Sequence, residues 1–433
     1  MRLVIHRGTQ EIGGTCVELS TQSTRILIDF GMPLVALTKD KPFDTKLLKV
    51  QSIEDLQNLH VLPVVKGLYK NEARGIDGIL ISHSHLDHYG LLNYVNPAIP
   101  IYLSKGAEEL VNVSNVFTPN KIGTINSKIV NTRKIFTIGD FTITPYLVDH
   151  SAFDALAFLI KADGKSVFYS GDFRGHGRKS MLFKQMIKNP VKDVDCLLME
   201  GTMIGRGRQT YADEQAIEKR IMEILKEHRN ITFISFSSQN IDRIVSAYRA
   251  CLKSNSIFVM DAYTAFVLEK LAKVSKGIPQ YNWKSVRIKF FNHHVSSLKS
   301  AGCDDLLNRY SKRKIDTAEI KRERHRILML ARDNSIFPLL IKKIGDVSRA
   351  RIIYSMWEGY LTDKFKEYCS EKGIVLEEIH TSGHAIVDDL QKLNAALNPK
   401  MLVPIHTFES KRYPELFENV KILQDGEVFV LDN

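Results

Sequence analysis

Ser82-His83-Ser84-His85-Leu86-Asp87-His88-Tyr89-Gly90 grows out of the short apolar run GILIS at 78–82. The pattern HxHxDH packs four metal-capable side chains into six positions. That is too dense to be a packing feature, and it stands at a strand end, where loops carry chemistry. In extended chain His83 and His85 point to the same side and can share one metal. Asp87 and His88 follow the turn and can reach a second. Imidazole and carboxylate donors suit zinc or manganese rather than copper or an iron–sulfur cluster.

Other apolar runs end in residues of the same chemical kind. VDHS (148–151) presents His150, and YSGDF (169–173) presents Asp172, a carboxylate able to bridge two cations. RILIDFG (25–31) ends in Asp29, read as an orienter of a ligand rather than a ligand. LLMEGT (197–202) ends in Glu200, HTSGHA (380–385) offers His384 in a helix-leading turn, and LVPIHT (402–407) ends in His406. The five cysteines (Cys16, Cys196, Cys251, Cys303, Cys369) are odd in number and scattered, with no CxxC. That argues against a disulfide scaffold or a thiolate zinc site, and for a reducing, cytoplasmic setting.

The surrounding pattern is α/β. Strands are expected at 25–30, 78–82, 141–148, 157–161, 165–170 and 194–199, with an Asp163-Gly164 turn between two of them. A helix at 213–229, a strand at 231–236, a helix at 241–252 and a strand at 257–260 then alternate as a parallel domain would. A helix is expected at 317–329. Strands at 351–355, 374–379 and 401–404, with helices at 361–371 and 387–397, close the chain. With 433 residues, 44% hydrophobic and 25% charged, it is an ordinary globular protein of two or three domains. No apolar run reaches the roughly 18 residues of a membrane span, and the N-terminus alternates like a strand rather than a signal peptide.

HxHxDH, a later His, a later SGD and an early strand-end Asp resemble the metallo-β-lactamase superfamily, whose fold is an αββα sandwich. Glu200, His384 and His406 resemble the three further motifs of the β-CASP nucleases, in which a second α/β domain interrupts the sandwich. EIGG (11–14), VDHSAFDA (148–155) and SGHA (382–385) bring the chain nearest to ribonuclease J-like members. The resemblance implies a metallo-β-lactamase domain over 1–205 and 361–433, with the inserted domain over 206–360. It implies one metal on His83, His85 and His150 and another on Asp87, His88 and His406, with Asp172 bridging. Glu200 and His384 would sit at the scissile phosphate, the histidine protonating the leaving 3′-oxygen. Histidine at position 406 is the form found in RNA-processing members. Many ribonuclease J members carry Asp where this chain has Glu200, and the 433 residues are expected to close the sandwich without reaching the C-terminal domain common in those members.

The implied activity is metal-dependent RNA hydrolysis by a water activated between two divalent ions. It is 5′→3′ exonucleolytic first, with endonucleolytic cleavage as a second mode. The rivals are a small-molecule metallohydrolase of the same superfamily and an RNA-binding protein with little catalysis. Ser235, Ser237, Ser238 and Asn240, ahead of the helix at 241, suit a phosphate; with Ser382 and Gly383 they are the candidate contacts for an RNA 5′-monophosphate. His293 and His294 read as surface residues, and Trp357 as packing. A homodimer is a further expectation. The net charge is +11, and residues 284–349, with 16 Lys+Arg against 7 Asp+Glu, hold +9 of it. A field so concentrated attracts polyanions, and charge reversal there is expected to weaken RNA binding and flatten its salt dependence.

Overall fold

The computed structural model describes residues 1–35, 42–118, 121–207, 209–227 and 230–432. The chain divides into two units: Met1–Gly175, Lys179–Gly207 and Gly383–Asn433 form one, and His176–Arg178 with Arg208–Ser382 form the other.

In the first unit the strands are β1 (Arg2–Arg7), β2 (Cys16–Ser20), β3 (Arg25–Ile28), β4 (Gly78–Leu80), β5 (Ile101–Leu103) and β6 (Ser127–Ile129), then β7 (Phe136–Ile138), β8 (Phe141–Leu147), β9 (Leu156–Ala162), β10 (Lys165–Tyr169) and β11 (Cys196–Glu200). The inserted unit contributes β12 (Thr232–Ser235), β13 (Ile257–Asp261), β14 (Val286–Lys289), β15 (Ile327–Leu330), β16 (Arg351–Tyr354) and β17 (Val375–Glu378). The chain then returns to the first unit with β18 (Met401–Ile405) and β19 (Val428–Val430).

Two sheets make the first unit, in the orders β19-β1-β2-β3-β4-β5-β6 and β18-β11-β10-β9-β8-β7. Alternate residues of both, such as Leu3, Val17, Ile28, Phe158, Val167 and Leu198, meet in one buried core between them. The opposite faces are covered by helices. Leu27, Ile79 and Leu103 pack on Leu56, Ala107 and Val111, and Leu159, Phe168 and Leu197 pack on Phe183, Met186, Leu390 and Leu393. This is the αββα sandwich that the sequence motifs lead one to expect. On its flank Glu18 takes a bidentate Arg25 (2.9 and 3.1 Å) and His6 (2.8 Å). Burial pushes the Glu18 carboxyl up, but those hydrogen bonds outweigh it and hold it at about 2. A depressed carboxylate stabilises the fold above its unfolded pKa of about 4.3 and ceases to as pH falls through 2. Glu18→Gln should therefore lower the melting temperature at pH 7, with the gap to wild type closing between pH 4.5 and 2.

In the inserted unit the order is β14-β13-β15-β12-β16-β17, and every pairing is parallel. Two expectations are corrected here. The insertion runs to Ser382, not 360, because β17 pairs with β16 and belongs to the same sheet. The helix expected at 317–329 ends at Glu323, and Ile327–Leu330 is a strand buried between β13 and β12. A four-residue apolar run after a charged turn fits either period, and the sheet decides it. The helix expected at 213–229 is Glu214–Glu227; residues 228 and 229 lie outside the described residues.

Candidate metal centre

The candidate residues gather at one end of the two sheets because parallel pairing brings strand ends together. β3 runs parallel to β4, so Asp29 lies beside the start of the Ser82–His83 segment. β10, β11 and β18 are parallel neighbours in register, which places Asp172, Glu200 and His406 at adjacent ends. After His85 the chain makes a one-turn helix, Leu86–Tyr89, turning Asp87 and His88 back toward the strands. That turn is clamped by backbone hydrogen bonds from Phe30 N to His88 O (2.7 Å) and Met32 N to Leu86 O (2.9 Å). The approach is so close that a Cβ on Gly31 would sit 1.6 Å from the Asp87 carbonyl oxygen, so only glycine fits there.

Among the described residues, four overlapping trios have donor atoms close enough to hold a metal ion. They are His83/His85/His150, His83/His88/Asp172, Asp87/His88/His406 and His150/Asp172/His384. Nε2 of His83 and Nε2 of His150 each lie 3.2 Å from Nδ1 of His85. One oxygen, Oδ2 of Asp172, lies 3.2 Å from His88 Nε2, 3.6 Å from Nε2 of His83 and of His406, and 4.0 Å from His150 Nε2. Among the described residues, His406 Nε2 is buried without a hydrogen-bond partner, and His88 Nε2 and Asp172 Oδ2 face only one another and the other candidate ligands. Buried polar atoms are normally satisfied. A knot of imidazole and carboxylate lone pairs aimed at one another is a donor set that fits divalent cations.

Burial holds the imidazoles of His83, His150 and His406 below their usual range and that of His85 at about 4, which keeps them neutral, as metal ligation requires. For His88 burial also lowers, but Asp172 and then Asp29 outweigh it and hold the ring well above the normal value. Burial would raise Asp172, yet His406, His88 and His384 keep it well below.

Several residues aim the donors. Asp29, fully buried and in the left-handed region (φ 59°), accepts from Ser82 N (2.7 Å), Ser82 Oγ (2.8 Å) and Tyr169 OH (2.5 Å), and pairs with His88 Nδ1 at 2.8 Å. It thereby leaves His88 Nε2 for the centre. His150 Nδ1 donates to the Gly383 carbonyl (2.6 Å), which can only accept, so Nε2 carries the lone pair. His406, also left-handed (φ 51°), is steadied by Thr15 Oγ1 at 2.9 Å from its Nδ1. Backbone held in this region at a site is strain the surroundings must impose. Asp29→Asn should weaken metal affinity by about 10- to 100-fold, measurable by competition with a chelator while the circular dichroism spectrum stays unchanged.

Glu200, fully buried, accepts from the backbone N–H of Phe173 (3.3 Å), Thr202 (3.1 Å) and Ala385 (3.3 Å). Its Oε2 lies 3.2 Å from His384 Nδ1, which is itself 3.6 Å from Asp172 Oδ2. The sequence motifs assign no role to Tyr169, Ser82 or Thr15; Tyr169 and Ser82 hold Asp29 and Thr15 holds His406 through hydrogen bonds from distant parts of the chain, and adjacency to the SGD and HxHxDH motifs is the available signal for the first two.

The candidate phosphate contacts are less uniform. Ser235 is buried, and the Asn240 side chain caps the helix Ile241–Lys253 by accepting from Arg243 N (3.1 Å). Ser238 Oγ bonds Thr264 Oγ1 (2.7 Å) and Arg332, while Ser237 is exposed. Ser382 and Gly383 stand where the inserted unit ends and the sandwich resumes. Two minor expectations are corrected. His294 is buried, its ring set on edge to Phe291 on the helix Asn292–Ser300, and only His293 is a surface residue. Trp357 is 43% exposed rather than packed away.

Residues 52–230 match the family model described as beta-lactamase superfamily domain. Ribonuclease J of Helicobacter pylori (strain B128) is 22% identical over 97% of this chain and 59% of its own length. Ribonuclease J of Mycoplasma genitalium is 23% identical over 98% of this chain and 71% of its own. The chain thus spans about three fifths of the length of the Helicobacter relatives. A crystal structure of a protein of unknown function from Enterococcus faecalis V583 superposes with a TM-score of 0.79 at 23% identity, covering 99% of both chains, and so shares the fold. By these matches the chain is similar to a beta-lactamase superfamily domain over residues 52–230 and to the ribonucleases J over nearly its whole length.

Proposed function

We propose that this chain is a metal-dependent ribonuclease, zinc its foremost metal, cutting RNA in the 5′→3′ direction from a 5′-monophosphate end, with internal cleavage as a second mode. The observation that carries this is the arrangement around Asp172. Two histidine-rich trios share its neighbourhood, and the Glu200–His384 pair stands against the same carboxylate. When bound, two divalent cations supply neutralisation of an anionic phosphodiester and activation of water. The chain's residues do the rest. His384, steadied by Glu200, is placed to give a proton to a leaving 3′-oxygen. Ser237 and Ser238, ahead of the helix Ile241–Lys253, suit the terminal phosphate. The surplus of positive charge in the inserted unit favours a polyanion over a small neutral substrate.

The test is metal analysis joined to a time course on 5′-monophosphorylated, 5′-triphosphorylated and hairpin RNAs. Mononucleotides released from the monophosphorylated substrate alone are the expected result. Internal fragments from all three would move the reading to an endonuclease. Salt-insensitive hydrolysis of thioesters with no RNA turnover would replace it with the small-molecule hydrolase.

A further inference from the structure

Trp357 and Tyr360 are 43% and 57% exposed, and their rings meet edge to face, with centroids 5.2 Å apart and planes at 89°. Two large aromatics held together at the surface are a costly use of apolar area, the kind that marks a contact site. The pair is built rather than accidental. A Cβ on Gly359 would come within 2.4 Å of the indole ring, so the ring lies directly over the glycine backbone. A single 3-10 turn, Glu358–Tyr360, closed by Tyr360 N to Trp357 O (3.1 Å) and Leu361 N to Glu358 O (2.8 Å), presents both rings. Leu361 anchors that turn in the core of the inserted unit.

The position of the turn suggests what the rings take. It follows β16, whose end is tied to β12 by Ser355 N to Ser235 O (2.8 Å), and Thr362 Oγ1 donates to Asp333 Oδ2 (2.8 Å) in the loop after β15. From β12 the chain crosses toward β13, while from the neighbouring β15 it crosses the other way, toward β16. Such a reversal opens a crevice at the carboxyl ends of parallel strands, where ligands of doubly wound sheets bind. Along this rim lie the partly exposed guanidinium of Arg332, held by buried Asp261, then Ser237, then the aromatic turn. Glu358, exposed within the turn, disfavours a phosphate against the rings and leaves a base as the part of a nucleic acid that they can hold.

We infer that Trp357 and Tyr360 form a base-stacking platform by which the inserted unit grips single-stranded RNA. The inference rests on the ribonuclease reading and adds to it a contact that takes any base, since every base has a π-face.

The chain has two tryptophans, Trp283 and Trp357, so Trp283→Phe leaves Trp357 as the only indole. Adding a hydrolysis-resistant phosphorothioate oligoadenylate to metal-loaded W283F should quench its fluorescence, whereas inorganic phosphate should not. Trp357→Ala should weaken oligonucleotide binding about 5- to 150-fold, the equivalent of about 1–3 kcal/mol for one stacked base, and Trp357→Phe should restore most of it. Fluorescence unmoved by the oligonucleotide, unchanged binding by W357A, or quenching by a lysine-rich peptide alone would each overturn the platform. Wild-type turnover of RNA, measured alongside, separates the two readings: RNA cut normally with no quenching sinks only the platform, and RNA neither bound nor cut sinks both.

Discussion

Asp172→Ala is expected to lose bound metal and, with it, RNA turnover by at least about 10³-fold, or about 4 kcal/mol of transition-state stabilisation. Among the described residues no other side chain touches so much of the centre. Its Oδ2 lies within 4.0 Å of nitrogens from His83, His88, His150, His384 and His406. Removing it leaves imidazoles facing one another across a buried space with far less negative charge to balance a cation. The fold should survive, because the cores between and outside the sheets are built from strand and helix residues elsewhere. Metal content by mass spectrometry, circular dichroism and an RNA time course on the same preparation make the check. Stoichiometric metal in the variant would show that Asp172 does not hold it.

How far the sequence reached depends on the range of each interaction. HxHxDH is legible because its residues are neighbours in the chain, and local spacing alone implies shared coordination. Asp29, Asp172, Glu200 and His406 are legible because an apolar run that stops at a polar residue marks a strand end. The bond from Tyr169 OH to Asp29 is not, since it joins two sheets across 140 positions. Ile327–Leu330 departs from the helix its sequence predicts for a different reason. A strand buried in a parallel sheet has no polar face to reveal a period of two, and its neighbours β13 and β12 lie far off in sequence. The end of the insertion is not legible because β17 joins the inserted sheet through pairing with β16, which local sequence does not reveal. Residue type alone places Trp357 in packing, and its exposure is a tertiary property.

His384→Ala tests a role that metal content cannot reveal. Of the four trios only His150/Asp172/His384 includes it, and the His83/His85/His150 and Asp87/His88/His406 trios stand complete without it, so the variant should keep its metal while turnover of RNA falls by about 10²- to 10⁴-fold, the usual worth of a positioned general acid. The proton belongs on this ring for a structural reason. Burial lowers the imidazole, but Glu200 and then Asp172 outweigh it and raise its pKa above the usual value. Glu200 is in turn immobilised by three backbone N–H groups, so its carboxylate orients the histidine without needing to move. A phosphodiester with a p-nitrophenolate leaving group needs no proton at departure. On that ester H384A should recover most of the lost rate, while Asp172→Ala should not. An equal loss on both substrates would strip His384 of the role of acid and leave it a residue that merely positions the phosphate.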